Sequence, residues 1–167
     1  AVTGGSSTAR EMASASQLIA SGNTIDAGSN ATDALTEAKI LDAHEACYNA
    51  GGDPSLLMIK PSDSEIVAGF TASSGRNRTF NDENKTLTAA VDILVNSYGT
   101  LKVVLNRHQM STHAFLLDPT MWRSAVLRPV SRTLLSKTGD SDKHFCVYEG
   151  GLIHLNQSAS AQINGLS

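Results

Sequence analysis

The stretch "LTEAKILDAHEACYNAGGDPSLLMIKPSDSEIVAGF", residues 35–70, carries the clearest secondary-structure signals in the chain. Its first half repeats apolar or small residues at helical spacing. These residues are Ile40, Ala43, Cys47 and Ala50, with Leu41 beside them. Thr36 suits the N-cap of such a helix, and Gly51-Gly52 is a stop signal. The pattern predicts one helix that ends before residue 51.

The second half of this stretch predicts a strand and another helix. "SLLMIKP" is a short apolar run ended by proline, which is typical of a buried strand. Ser62 and Glu65 then have the spacing of a capping box, in which each side chain accepts a hydrogen bond from a free backbone amide. A second helix should start there and end before Gly75.

Further along the chain, the pattern predicts a β-hairpin and a short strand. Two β-rich runs in "AVDILVNSYGTLKVVLN" flank Ser97-Tyr98-Gly99-Thr100, and the polar loop "SSGRNRTFNDENK" precedes them. "HAFLLD" is another short buried strand. Asp118-Pro119 then supplies an N-cap and a proline at the first helical position, which opens a short turn through "TMWR".

The stretch "AVLRPVSRTLLSKTGDSDKHFCVYEGGLIHLN" predicts two extended arms joined by the turn "KTGDSDK". Pro129 cannot donate a ladder hydrogen bond, so the first arm should be an edge strand or contain a bulge. Residues 1–34, by contrast, are mostly Ser, Ala, Gly, Thr and Asn, with one weak apolar cluster at Leu18 and Ile19. Such a segment buries too little to order itself, so it should be mobile or laid across something else.

Composition excludes several classes of protein. The chain has 167 residues and is 41% hydrophobic, enough for one core in one domain or in two small intertwined ones. Charged residues are 17% of the chain, against roughly 25% in an average soluble domain. A net charge of −3 argues against a nucleic-acid binder. The low charge suits a protein whose faces are covered by partners, although an ordinary soluble domain has a similar composition.

Other features of the sequence bear on compartment. No apolar run approaches the ~20 residues that span a bilayer, and "AVTGGSSTAR" lacks the pattern of a signal peptide. The chain does not begin with Met, which is consistent with a cleavage site or an artificial boundary. Cys47 and Cys146 are far apart, each within an apolar stretch. They are predicted to be two buried thiols in a reducing compartment.

The sequence gives only weak evidence for a catalytic or binding site. His108 and His113 are five residues apart in a predicted loop, with no Cys, Asp or Glu at usable spacing before Asp118, so a metal site is not favoured. No nucleophile motif accompanies them. "GGDP" and "SSGRNR" lack the lysine and glycine spacing of phosphate loops. A sparse basic series is consistent with subunit contacts, nucleic acid or simple solvation. It contains Arg107, Arg123, Arg128 and Arg132.

The order of several motifs resembles a known family. "LTEAKILDAHEACYNAGGDPSLLMIKPSDSEIVAGF" is followed by "NRTF", by "YGTLKVVLNRHQM" and by "FLLDPTMWRSAVLRPVSRTLLSKTGDSDKHFCVYEGGLIHLNQSASAQINGL". Over residues 33–167 this order resembles the tailed-bacteriophage major capsid (major head) proteins with the Hong Kong 97-type fold, an α+β class. Arg10 and Met12 are similar to the family's segment just before its helix.

The resemblance implies a division into domains. Residues 35–53 and 122–157 would form the peripheral domain, with its spine helix and long β-hairpin. Residues 54–121 and 158–167 would form the axial domain, in which "AQINGL" supplies a last strand. Residues 1–34 would be a flexible or lapping segment. The family's N-terminal arm and extended loop are then apparently missing, because those residues are too few to supply both.

The resemblance also implies a structural, non-enzymatic subunit that assembles with copies of itself into capsomers and a shell. Its location would be the virion capsid, assembled in the bacterial host cytoplasm. Expected partners are other virion proteins and, at most, weak nonspecific contact with packaged DNA, with no membrane, catalytic residue, metal or cofactor. A charged hairpin needs neighbours to hold it, which predicts inter-subunit contacts at Arg128, Arg132, Asp140, Asp142 and Lys143.

Two other functions compete with this one. An accessory decoration or binding protein of a virion would explain the lack of lapping arms. A small hydrolase would use His108, His113 and Asp118. The hydrolase predicts that an activity is lost when one histidine is changed while the fold is kept, whereas the decoration protein predicts a monomer that attaches to preformed shells.

Overall fold

The computed structural model describes residues 12–28, 33–73 and 93–166. Most of the predicted polar loop, residues 74–85, and residues 1–11 lie outside the described residues. The chain divides into two compact units. One consists of Ala1–Leu18 and Trp122–Leu155, and the other of Ile19–Met121 and Asn156–Ser167.

The described residues form helices and strands in both units. The α-helices are α1 (Ala15–Leu18), α2 (Glu37–Asn49) and α3 (Asp63–Ser73). The strands are β1 (Thr24–Asp26), β2 (Leu56–Ile59), β3 (Ile93–Asn96), β4 (Gly99–Leu105), β5 (Ala114–Leu117), β6 (Trp122–Leu134), β7 (His144–His154) and β8 (Ala161–Asn164). Single 3-10 turns lie at Ser21–Asn23 and Pro119–Met121. These bounds confirm the predicted helices, the hairpin, the two short strands and the two long arms.

The larger unit is built on a mixed six-stranded sheet with the order β1-β8-β5-β2-β4-β3. Strand β2 pairs in parallel with β4 and antiparallel with β5. Its register places buried Leu57 opposite buried Leu116, and half-buried Leu56 opposite half-buried Leu117. Because side chains alternate between faces, one face of the sheet is buried and the other is partly open to solvent.

Helix α2 packs on the buried face of this sheet. Its N-cap is Thr36, whose hydroxyl accepts a hydrogen bond from Lys39 N at 3.4 Å, as predicted. Ile40, Ala43 and Cys47 are fully buried in the same cluster as residues of the central strands. Ala50 is the C-cap of this helix and is exposed, because the helix ends at Asn49.

Helix α3 adds Val67 to the same buried cluster and begins one residue after Ser62, close to the predicted start. Just before it, the Lys60 ammonium lies 3.6 Å from the Asp63 carboxylate and donates to the Ser111 carbonyl at 3.0 Å. Burial raises the pKa of Asp63, and the charge of Lys60 partly offsets this effect. The paired lysine lets a carboxylate sit at this buried helix start.

Residues 19–28 lie on the sheet of their own chain, the second of the two predicted alternatives for the N-terminal segment. β1 pairs in parallel with β8, at one edge of the sheet. The Asn23 amide is buried and donates to the Ser158 carbonyl at 2.6 Å and to the Ser160 carbonyl at 3.3 Å. Backbone pairing and this one polar anchor therefore order a segment with little apolar area of its own.

The two compact units group the residues differently from the predicted domains, in which residues 35–53 go with 122–157. Helix α2 belongs to the unit that contains the six-stranded sheet, whereas residues 122–155 belong to the other unit. The physical reason is burial, since Ile40 and Cys47 share one cluster with Leu57 and Ile163 of the sheet. The assignment of the names axial and peripheral to parts of this chain stays a prediction.

Two glycines test this packing. A Cβ on Gly52 would lie 2.5 Å from Ala159 Cα and 2.8 Å from its carbonyl oxygen, so backbone would have to move. We expect Gly52→Ala to lower the free energy of unfolding by about 1–3 kcal/mol. A Cβ on Gly69 of α3 would have no neighbouring atom within 4 Å. Gly69→Ala should therefore raise the free energy of unfolding by about 0.5–1 kcal/mol.

Urea unfolding followed by circular dichroism measures both changes. Equal effects of the two substitutions would contradict the close approach of the α2 end to residue 159.

Candidate assembly interface

Strands β6 and β7 form a two-stranded sheet of their own, which we call the ribbon together with the connecting residues 135–143. The pairing runs from Trp122 opposite His154 to Leu134 opposite His144. One further hydrogen bond joins Leu135 N to the Lys143 carbonyl at 2.9 Å. The ribbon is therefore a long hairpin, and its tip carries the predicted turn "KTGDSDK".

The ladder is irregular near the proline of the first arm. The register shifts between Val126 and Arg128 and again between Arg128 and Ser131. Pro129 lies inside this second interval and has no N–H to donate, so the chain bulges there instead of pairing. The predicted bulge at Pro129 is confirmed.

The base of the ribbon is held by an aromatic stack and a polar contact. The rings of Trp122 and His154 stack with their centroids 4.0 Å apart and their planes at 10°. His154 is buried, and its Nδ1 lies 3.3 Å from the Leu18 carbonyl oxygen at the end of α1. The aromatic stack therefore joins β6 to β7, and the polar contact joins the N-terminal helix to β7.

Most of the ribbon exposes apolar side chains. Val130 is 78% exposed and Leu127 is 67% exposed. Further exposed apolar residues between Trp122 and Leu155 are Val126, Leu134, Leu135, Phe145, Tyr148, Ile153 and Leu155. A two-stranded hairpin alone is at best marginally stable in water, and exposed apolar side chains in this number are more typical of interaction surfaces than of freely solvated ones.

A groove of about 820 Å³ lies beside the bulge. It is lined by Met12, by residues 125–127 of β6 and by residues 148–151 of β7. The Tyr148 ring covers Gly150, where a Cβ would come within 2.5 Å of the Tyr148 hydroxyl oxygen. Glycine at this position therefore lets the aromatic ring lie flat along the groove wall.

Of the five predicted contact residues, three have partners within the ribbon. Arg128 Nε lies 3.2 Å from Glu149 Oε2, and Asp142 Oδ1 lies 3.0 Å from Lys137 Nζ. The Lys143 ammonium donates to the Thr138 hydroxyl at 3.3 Å. Within the described ranges, Arg132 and Asp140 form no ion pair. Three of the predicted charges therefore brace the ribbon, whereas Arg132 and Asp140 do not take part in such pairs among the described residues.

The residues of the hydrolase hypothesis take part in local turns. His108 is exposed, and its backbone N–H donates to Asn106 Oδ1 at 3.0 Å. His113 Nδ1 lies 2.8 Å from the Thr112 hydroxyl, and its ring stacks on Phe115. Asp118 Oδ1 accepts from Thr120 N at 3.0 Å and from the Thr120 hydroxyl at 2.6 Å. The carboxylate therefore caps the predicted turn, and its hydrogen bonds orient no imidazole.

In the part of the chain that the structure describes, no group of three or more His, Cys, Asp and Glu residues is arranged to hold a metal ion. None of the helices described is long and apolar enough to cross a membrane.

The two cysteines differ in environment, which corrects the prediction that both are buried. Cys47 is buried, and burial raises the pKa of its thiol to about 11. Cys146 is exposed on β7 because no described helix or strand covers the ribbon at this position. An apolar sequence neighbourhood predicted burial for both thiols, but only the one on the helix is enclosed.

A mixed sheet with helices on its buried face, plus a long two-stranded ribbon, defines an α+β protein. The fold is similar to that of the holo-SrpI encapsulin complex from Synechococcus elongatus PCC 7942, with a TM-score of 0.53 and 8% identity, covering 89% of this chain and 55% of that chain. A virus-like particle from Pyrococcus furiosus gives a TM-score of 0.45 and 12% identity, covering 89% and 58%.

The chain belongs to the SU10 major capsid protein family, which it matches over residues 1–167. It is 30% identical over 145 residues to the major capsid protein of Escherichia phage Phieco32, covering 82% of this chain and 41% of that protein. The chain thus spans less than half the length of this curated relative. Membership in a tailed-phage major capsid protein family, expected from the motif order, is confirmed.

The exposed ribbon can be tested by thiol chemistry. We expect one fast-reacting thiol per folded chain with a chromogenic disulfide reagent, because Cys146 is exposed whereas Cys47 is buried with a raised pKa. Cys146→Ser should abolish the fast phase, and Cys47→Ser should leave it unchanged. Two fast thiols in the folded protein would contradict the burial of Cys47.

Proposed function

We propose that this chain is part of the structural subunit of a tailed-phage icosahedral capsid, and that the ribbon makes contacts between subunits. The exposed apolar surface between Trp122 and Leu155 carries this proposal. Membership in a major capsid protein family supports it independently. The subunit would assemble with its own copies into capsomers and a DNA-enclosing shell, and so would reside in the virion.

The driving force would be removal of apolar area from water. Burying a Val, Leu or Phe side chain contributes about 1.5–3 kcal/mol, and the ribbon offers several such side chains, including Leu127, Val130 and Phe145. A subunit that contacts many neighbours through small interfaces gains cooperativity from closure of the shell. Modest single contacts would still let misplaced subunits dissociate.

The detailed family layout is part of the same proposal. Helix α2 would be the spine helix and the ribbon the long hairpin of the peripheral domain, while the six-stranded sheet would be the core of the axial domain, as in a Hong Kong 97-type subunit. Agreement of element order supports this layout, because α2, the hairpin β3 and β4, the ribbon and β8 follow one another as the family requires.

Charge complements apolar contact in the proposed interface. Arg132 and Asp140 form no ion pair in the described chain, so they would be the charges that reach a neighbouring subunit. Arg128, Asp142 and Lys143 would contribute indirectly, by bracing the ribbon through Glu149, Lys137 and Thr138. With a net charge of −3 on the chain, contact with packaged DNA would be weak and independent of sequence.

The apolar part of the interface is tested at Val130. In the protein expressed at full length, Val130→Asp should lower particle yield about tenfold or more, because the interface would bury an unpaired carboxylate. Val130→Thr keeps the β-branched shape and serves as the matched control, with yield close to that of the parent. Sedimentation and negative-stain images measure the yield.

Normal shells from Val130→Asp would overturn the role of the ribbon. A parent protein that forms no particles, but attaches to preformed shells, would instead identify an accessory decoration protein and overturn the capsid function.

The role of the charged residues is tested by comparing charges that form pairs within the ribbon with charges proposed to contact a neighbouring subunit. Arg132→Ala and Asp140→Ala should lower particle yield while leaving the unfolding of the isolated chain within about 0.5 kcal/mol of the parent. Arg128→Ala should lower the stability of the isolated chain, by up to about 1 kcal/mol because the pair is partly exposed. Unchanged yield in both Arg132→Ala and Asp140→Ala would refute their contact role.

A further inference from the structure

One buried histidine has no part in the proposed interface. His44 lies on α2, and only 1% of its surface is exposed. Its Nδ1 lies 2.9 Å from the side-chain Nδ2 of Asn96, the last residue of β3. Its Nε2 is buried and has no hydrogen-bond partner among the described residues. The imidazole therefore joins the helix to the β3–β4 turn through a single hydrogen bond.

The turn determines which way this hydrogen bond runs. Asn96 Oδ1 lies 3.2 Å from Tyr98 N and 3.1 Å from Gly99 N, both of which are donors. A carbonyl oxygen only accepts hydrogen bonds, so Oδ1 must face these amides and the Asn96 NH₂ group must face the histidine. His44 Nδ1 is then the acceptor. The ring is neutral, with its proton on Nε2.

A second proton on His44 would conflict with this network. Nδ1–H and the Asn96 NH₂ group would be two donors facing each other at 2.9 Å. Rotating the Asn96 amide would bring Oδ1 to the imidazolium, but the NH₂ group would then face the N–H groups of Tyr98 and Gly99. Either arrangement loses hydrogen bonds in a buried place, where an unmade bond is costly.

The surrounding groups have opposing effects on the charge of this ring. Asp53, in the loop after α2, favours the protonated form, whereas burial disfavours it and is the larger effect, so the pKa of His44 is lowered. Tyr98 lies in the β3–β4 turn, and the centroid of its ring is 5.8 Å from the centroid of the His44 ring. The hydrogen bond between Tyr98 and Glu45, together with burial, raises the pKa of Tyr98, as does the nearby Asp42. The charged groups that shift the pKa values of His44 and Tyr98 are all carboxylates, namely Asp53, Glu45 and Asp42.

We propose that His44 and Asn96 form an acid-sensitive latch on the β3–β4 turn, which is closed while His44 is neutral and opens when it takes up a proton. Among the described strands, β3 is at the edge of the sheet and pairs with β4 alone. Opening the turn would therefore release the edge strand while the central strands stay paired. This inference concerns the folded chain itself and does not depend on the proposed assembly.

The direction of the pH effect follows from linkage. The pKa of His44 is lower in the folded protein than in the unfolded chain, so the unfolded chain binds the proton first as pH falls. The stability that neutral His44 contributes is complete above about pH 6.5. It is lost as the pH falls from there toward the folded pKa. In that window the unfolding constant should rise by up to about tenfold per pH unit.

Reversal of this pH dependence is the sharpest test. In Asn96→Asp, one carboxylate oxygen keeps the two turn hydrogen bonds, and the other presents an acceptor to His44 Nδ1. The protonated ring is then favoured, so stability should rise on acidification from pH 8 to pH 6, whereas that of the parent should be level down to about pH 6.5 and fall below it. Exposed His108 supplies the matched control, since His108→Gln should keep the pH profile of the parent.

Urea unfolding of the purified chain from pH 5 to pH 8 gives the profiles, and nitrogen-15 NMR of the imidazoles gives the tautomer. We expect His44 to carry its proton on Nε2 at pH 8, and the amides of Tyr98 and Gly99 to lose exchange protection as His44 titrates. Identical pH profiles for the parent and Asn96→Asp, or a proton on Nδ1 at pH 8, would overturn the latch. Should Asn96→Asp fail to fold, the tautomer and amide exchange of the parent decide the matter alone.

Discussion

Among the residues that the structure describes, no layer of helices or strands covers most of the two-stranded ribbon, and this constraint governs how those residues relate to function. The six-stranded sheet buries one face under α2 and α3, and its central residues, such as Leu57 and Leu101, are fully enclosed. β6 and β7 are longer than any strand of that sheet, yet they leave Val130, Leu127 and Phe145 in water. Apolar side chains exposed in this number on the ribbon would be stabilised if another surface covered them and removed them from water.

Local contacts prepare the ribbon for that role. The stack of Trp122 on His154 orders the base, the bulge at Pro129 interrupts the ladder, and the Arg128–Glu149 pair braces the arms beside the bulge. A bulged edge cannot pair freely with any other strand, so edge-to-edge aggregation is disfavoured. The side-chain faces stay available. Specific recognition would therefore come from side chains, with the backbone protected.

Sequence patterns predicted the local elements well because their signals are local. Thr36 and Gly51 delimit α2, and Pro129 indicates the bulge. Packing between residues that are distant in the sequence could not be predicted from such local patterns. Nothing next to Cys146 reveals that its strand lacks a covering layer, and nothing in residues 19–28 shows that Asn23 finds two carbonyls more than a hundred positions away. His44 did carry a signal, because it shares the spacing of Ile40 and Cys47 on the buried face.

The central claim is that neighbouring subunits cover the ribbon. The most direct measurement compares hydrogen–deuterium exchange of ribbon peptides, residues 122–155, between unassembled protein and purified particles by mass spectrometry. We predict that exchange in these peptides slows markedly on assembly, with the largest change around Val130 and Arg132, while peptides from the buried strands change little. Exchange in the ribbon that is the same in free protein and in particles would contradict the account.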